Sequence, residues 1–229
     1  MTALWGAGSA QARTFRPFCT TVLVAAGFTA VFVTAPASTT RLLPVDEASS
    51  RPDFFTFRAR LLVTIASRDA SALMAVGHPN IKNTFGDDDG KARFEELWRP
   101  AAADTEVWAE LGGVLGLGGT FDSTGSFVAP YVSSRWPGVD GFEHVAVVGD
   151  RVRIRTAPRA DARVADVSSF GILPPARQAD HAEGWTAVHL SISRIGYVAS
   201  GYVRSPNGYR ASFSKMDGRW QMMMFVAGD

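Results

Sequence analysis

Residues 145–203 read VAVVGDRVRIRTAPRADARVADVSSFGILPPARQADHAEGWTAVHLSISRIGYVASGYV. Val152-Arg153-Ile154-Arg155 alternates apolar with cationic side chains, so Val152 and Ile154 share one face of a strand and both arginines share the other. Ala157-Pro158-Arg159 breaks that strand, because proline cannot donate to a ladder. Val164 and Val167 open the next strand, and Pro174-Pro175 ends its continuation. Trp185 to Leu190 alternates again, with Trp185, Ala187 and His189 on one face and Thr186, Val188 and Leu190 on the other. Ser191–Arg194 supplies a turn, Ile195–Ala199 a further strand, and Gly201-Tyr202-Val203 a closing turn and short strand. Short strands punctuated by turns at close intervals predict a small all-β barrel or sandwich.

Three pieces of this stretch, "VRIRTAPRADARV", "GW.AV.L" and "GYV...YV", occur in that order and resemble the bacterial SH3-like (SH3b) family. The resemblance implies an SH3-like small β-barrel over 142–203 in an exported bacterial protein. It also implies a module that binds or positions and does not catalyse. Pro174-Pro175 and the Gln178–Gly184 connection depart from the family's usual pattern.

Outward from the barrel, the chain changes character on both sides. Phe54, Phe57, Leu61, Leu62 and Ile65 recur at three- and four-residue steps, the period of an amphipathic helix. Asp53, after Pro52, is placed to cap it. Asp69 precedes a second short helix that ends near Gly77-His78-Pro79. Lys91–Trp98 is a third, burying Phe94, Leu97 and Trp98. Asp104 is placed to cap a fourth carrying Trp108, Leu111 and Leu115, which Gly112-Gly113 and Gly116 then end. Residues 53–141 are therefore expected as a helical and mixed N-terminal domain that turns β-like around Asp122–Gly125. At the other end, Tyr209–Ser214, Asp217-Gly218 and Trp220–Val226 predict a β-hairpin within 204–229, packed on the rest through Phe213, Trp220, Met222 and Met224. "FRARLLVTIASRDASALMAVGHPNIKNTFG" with "DGRWQMMMFVAG" is similar to the first and last pieces of NTF2-like proteins, which pair an N-terminal helix with a curved sheet ending in such a hairpin. The fold class expected is α+β: an N-terminal helical region, an SH3-like barrel and a C-terminal hairpin.

Composition narrows function. A net charge of +1 gives the whole chain no electrostatic bias toward nucleic acid or anionic lipid, and 15 Phe with 6 Trp supply ample apolar burial. Arg13 and Arg16 precede the apolar run Pro17–Val33, and Ala35-Pro36-Ala37 follows with small residues where a signal peptidase reads. Residues 1–37 are thus expected to be a secretory signal peptide, the alternative being an uncleaved anchor. The single cysteine, Cys19, lies inside that segment, so the mature chain has no disulfide and no thiolate chemistry. Residues 38–52, rich in Ser, Thr and Pro, read as a flexible lead.

The chemistry-bearing residues are few. Asp87-Asp88-Asp89 between glycines would suit a hard cation, but Lys91 occupies a position that should supply oxygen and no glutamate closes the loop. Capping of the Lys91 helix by Asp88 or Asp89 is the plainer reading. The glycines from Gly112 to Gly119 lack the lysine of a phosphate loop, and His78, His144, His181 and His189 lack zinc spacing. No G-x-S-x-G elbow occurs. No cofactor, no metal and no catalytic residue is expected. Trp185, Tyr197 and Tyr202 with Arg153 and Arg155 either line a shallow groove for peptide or glycan or fill the barrel. The function expected is a non-enzymatic binding or scaffolding protein of the cell envelope, periplasmic or extracellular. Its partner would be a peptide, peptidoglycan or another envelope protein. Nucleic acid is not expected, and membrane only if the N-terminal segment is retained. The alternative is an NTF2-like small-molecule-binding protein or enzyme using His78, Asp87–Asp89 or Trp108.

N-terminal sequencing of protein from the native host is expected to read a mature start near Ser38. An intact Met1 or Thr2 in the envelope fraction is the result expected of a retained anchor instead.

Overall fold

Helix α1 (Pro52–Ser67) begins with proline at its first position, where the fixed φ is already helical and no N–H is missed. Arg51 is the N-cap and Asp53 lies one residue inside, so Asp53 does not cap the helix as its sequence position implies. The computed structural model describes residues 40–179 and 182–228, all within one compact unit; the expected export segment with Cys19, and His181, lie outside the described residues. Helix α2 (Ala70–Val76) is capped as expected, Asp69 accepting from the Ala72 N–H at 2.9 Å. The chain then forms a strand, β1 (Gly77–Lys82), where a helix end and loop were expected. Gly77 and Ile81 are buried, and Pro79 is tolerated because β1 is an edge strand.

Helices α3 (Lys91–Trp98) and α4 (Val107–Gly116) follow. Leu97 is 43 % exposed, contrary to its expected burial. Asp104 does not cap α4: it pairs with Arg99 at 3.4 Å, and the Thr105 hydroxyl accepts from the Val107 N–H instead. The helix also runs through Gly112-Gly113. A Cβ on Gly112 would lie 3.5 Å from the Ile65 side chain, an ordinary packing distance, so α4 runs beside α1 here without needing glycine. Strands β2 (Thr120–Phe121) and β3 (Phe127–Ala129) flank the expected turn, and Tyr131 opens the short helix α5 (Tyr131–Ser134).

The small strands follow as β4 (Val145–Val147), β5 (Val152–Arg155), β6 (Val164–Ser168), β7 (Ile172–Leu173), β8 (Trp185–Ser191), β9 (Arg194–Ala199) and β10 (Val203–Arg204). The hairpin strands β11 (Arg210–Met216) and β12 (Arg219–Val226) close the order. Sheet pairing is β1-β12-β11-β3-β2, β10-β4-β7 and β6-β5-β9-β8. The structure is therefore a mixed α+β fold. The pairing leaves the two small sheets open and does not close them into a barrel, although Val147, Val152, Ile154, Val188 and Val198 from both form one core. β3 and β11 are neighbours in the five-stranded sheet, so residues 130–209 are an excursion between two adjacent strands.

Residues 41–51 differ from the flexible lead expected. Leu42 and Ala48 are buried, and Arg41 bridges Gly171 on the free edge of β7, with Ile172 donating to the Thr40 carbonyl at 2.9 Å. Apolar Leu42 and Val45 pack against Tyr131, Val132 and Ile172.

The hairpin turns on Asp217 and Gly218, both at positive φ (49° and 78°), the two-residue geometry whose twist suits paired strands. Phe213 opposes Met222 while Ser212 opposes Met224, so Met223 is an extra residue in β12. That bulge shifts the buried set from Trp220 and Met222 to Phe225, and Met224 leaves the face expected of it. Phe54 plugs the sheet from α1, its ring 4.3 Å from Phe127 and 4.8 Å from Trp220. No helix among the described residues is long and apolar enough to cross a membrane.

Trp220→Ala removes a side chain only 9 % exposed and is expected to cost about 3–5 kcal/mol in denaturant unfolding. Trp220→Phe, which keeps most of the apolar contact, is expected to cost clearly less.

Candidate binding groove

The alternation in β5 does what its sequence implies: Val152 and Ile154 are buried while Arg153 stands exposed and Arg155 half-buried on the other face. In register, Arg155 opposes Tyr197 on β9, and Trp185 on β8 opposes Ala199. The turn before β5 places Arg151 at φ 49°, where its N–H donates to the Ser169 hydroxyl, which in turn donates to Asp150. After β9 a single 3-10 turn (Ser200–Tyr202) swings Tyr202 across the same end of the sheet.

These elements enclose a groove of about 410 Å³ lined by Asp150, Arg153, Arg155, Ala160, Trp185 and Tyr202, among others. Tyr202 is 53 % exposed and Trp185 half-buried, so each offers part of a ring face to the groove. Arg155 is pinned, donating to the Ala162 carbonyl at 2.7 Å, and Arg151 sits 3.5 Å from the Asp150 carboxylate. Arg153 makes no hydrogen bond or ion pair among the described residues, which leaves one guanidinium beside two aromatic rings. Such a surface suits a ligand with a flat or apolar body and an anionic group. Of the residues singled out from the sequence, Arg153, Arg155, Trp185 and Tyr202 come together here. Tyr197 is half-buried and lies outside the groove lining. Asp150 and Ala160 had no signal in the sequence, since only the two turns bring them to this wall.

His78, Asp88, Asp89 and Trp108 of the alternative pocket are engaged elsewhere. His78 Nδ1 accepts from the Asn80 N–H at 3.1 Å, and Trp108 is core. Asp88 pairs with Arg93 at 2.8 Å, and Asp89 accepts from the Asn83 N–H and from Lys82. The Asn83 N–H, followed by Lys82, holds the Asp89 carboxyl below the usual carboxylate range against the opposing pull of burial. Helix α3 is capped by Gly90 with no side-chain bond, so neither Asp88 nor Asp89 caps it; they tie the end of β1 to α3. Among the described residues no three His, Cys, Asp or Glu side chains converge.

A second cleft, about 530 Å³, lies where α1 meets the hairpin and is lined by Arg51, Asp53, Ser126, Ser214, Lys215 and Trp220. Sequence reading missed it, because Asp53 and Lys215 are far apart in the chain. Its charges are already satisfied. Asp53 accepts from Lys215 at 2.8 Å and from the Trp220 indole at 3.0 Å, while Arg51 lies over Phe121 and donates to the Gly125 carbonyl. No family model matches the chain, and neither curated proteins nor solved structures give a match. Its arginine, unpaired among the described residues and lining the same groove as two aromatic rings, makes the groove the stronger candidate.

The Lys215 hydrogen bond, then that of Trp220, lowers the Asp53 carboxyl from its ordinary 3.8 to about 2. A carboxyl depressed on folding stabilises the folded state fully above its unfolded value, and that contribution is lost as pH falls through the folded one. Melting curves of the native chain and Asp53→Asn are expected to differ above pH 4 and to converge as pH falls toward about 2.

Proposed function

We propose that this chain is a non-enzymatic, exported SH3-like protein of the bacterial cell envelope that binds a peptide, a peptidoglycan fragment or an envelope protein through the Arg153–Trp185–Tyr202 groove. The observation that carries the reading is the groove itself, where an arginine without a partner among the described residues stands beside two partly exposed rings. A carboxylate on the ligand meets Arg153, and its apolar or sugar face lies on Trp185 and Tyr202. Support for the SH3-like assignment comes from the two small sheets sharing one valine-rich core, together with the order of the three sequence pieces. The NTF2-like alternative needs room between α1 and the five-stranded sheet. That space holds the rings of Phe54, Phe57, Phe127, Phe213 and Trp220, which favours the groove.

Co-sedimentation with purified peptidoglycan sacculi, and fluorescence titration with soluble muropeptides and an acidic peptide pool, test this reading. Arg153→Ala is expected to weaken binding about tenfold or more, since a hydrogen bond to a charged group is worth about 1.5–3 kcal/mol, and Trp185→Ala, which removes a ring contact, to weaken it about tenfold. Lys215→Ala, in the second cleft, is expected to leave binding unchanged. Binding that ignores both groove substitutions would sink the proposal, as would hydrolytic turnover that His78→Ala abolishes.

A further inference from the structure

Helix α1 buries Phe54, Leu61 and Ile65 on the sheet, as an amphipathic helix should. Its opposite side is not polar. Phe55 is 49 %, Leu62 37 % and Val63 68 % exposed, and Ala59 and Ala66 are exposed beside them. At the helical pitch these residues fall within about 100° of arc, an uninterrupted apolar stripe on the outer face. α1 carries only Asp53, Arg58 and Arg60 as charges. Asp53 is held by Lys215 and Arg58 by Asp46 at 2.7 Å, both away from the stripe. A helix that is apolar on both sides expects cover on both.

We propose that this stripe pairs with the same stripe of a second copy of the chain, antiparallel about a two-fold axis passing between Arg60 and Leu61. The argument is the order of side-chain sizes. In that arrangement Phe55 meets the partner's Ala66, and Ala59 meets the partner's Leu62. Phe55 and Leu62 each fill the space beside an alanine, and that pattern of four residues complements itself, as an isologous contact requires. A parallel pair would set Phe55 against the partner's Phe55 and Ala59 against the partner's Ala59, leaving clashes at one level and gaps at the next. A 16-residue helix is about 24 Å long and about 10 Å across. Its outer face is smaller than the about 800 Å² per partner of a standard interface, so the dimer is weak and concentration-dependent. The two Arg60 side chains flank the axis, so the association tightens as salt screens them. A cationic helix docking on anionic lipid shows the opposite salt dependence.

Sedimentation equilibrium of the purified full chain, from about 1 μM to about 1 mM, brackets an interface of this size. The expected result is a monomer–dimer equilibrium that tightens with salt. Ala59→Leu makes the face more apolar yet sets leucine against the partner's Leu62. It is expected to raise the dissociation constant about tenfold or more, because overpacking a filled contact costs about 1–3 kcal/mol. The size swap Ala59→Leu with Leu62→Ala is expected to restore it. Should Ala59→Leu melt below the native chain, Ala66→Leu, facing the partner's Phe55, makes the same test. A chain that stays monomeric throughout overturns the proposal. So does an Ala59→Leu variant that associates as tightly as the native chain. Binding to vesicles of phosphatidylcholine and phosphatidylglycerol that Ala59→Leu strengthens, without dimer, overturns it in favour of a lipid surface.

Discussion

The contact of Phe54 with the five-stranded sheet organises the N-terminal half. Its ring lies among Phe57, Phe121, Phe127, Phe213 and Trp220, which come from α1, β2, β3, β11 and β12. Fixing that ring fixes the rotation of α1 about its own axis. Asp53 is thereby brought to the end of the hairpin, where it meets Lys215 and the Trp220 indole. The same rotation turns Phe55, Leu62 and Val63 away from the sheet. The satisfied cleft and the uncovered apolar stripe are two results of one packing decision.

The groove depends on a smaller constraint of the same kind. Val152, Ile154, Val188 and Val198 fill the space between the small sheets, and period-two alternation then sends Arg153 and Arg155 outward. Gly196 lets this core close: a Cβ there would stand 2.5 Å from the Ile154 side chain and 3.0 Å from Leu190. The arginines are thus carried on a strand held firmly from behind, while the rings that face them sit at the start of β8 and on a 3-10 turn.

Local patterns in the sequence carried much of this arrangement. Alternation in 152–155 and 185–190, the Asp217-Gly218 turn and the Asp69 cap are each decided within a few residues, and each appears where its pattern places it. What was not legible was decided at long range. Gly77-His78-Pro79-Asn80 has the composition of a helix end and becomes a strand because β12 offers an edge to pair with. Gly112-Gly113 reads as a stop, yet stays helical because Leu111, Val114 and Leu115 on either side are held in the core. Ser- and Pro-rich 38–52 reads as a tether, but Leu42 and Ala48 find burial against elements that come later in the chain. The bulge at Met223 cannot be seen in a run of methionines, which look alike on either face. In the groove, Arg153, Arg155, Trp185 and Tyr202 were legible, and the turn residues Asp150 and Ala160 were not. Tyr197 shares the strand pattern, but the groove lies nearer the ends of the strands.

Residues 130–209 leave the large sheet from β3 and return to it at β11, with Ala129 opposite Ala211. Cα atoms so paired lie about 5 Å apart, so the excursion spans almost no distance between its two attachment points. For the large sheet, the small-sheet region is one very long hairpin loop. The entropy of closing such a loop grows only with the logarithm of its length, so residues can be gained or lost there at small cost to the scaffold. The groove-bearing part can therefore change its size and surface wherever it does not meet Leu42 and Val45, so long as β3 and β11 stay side by side.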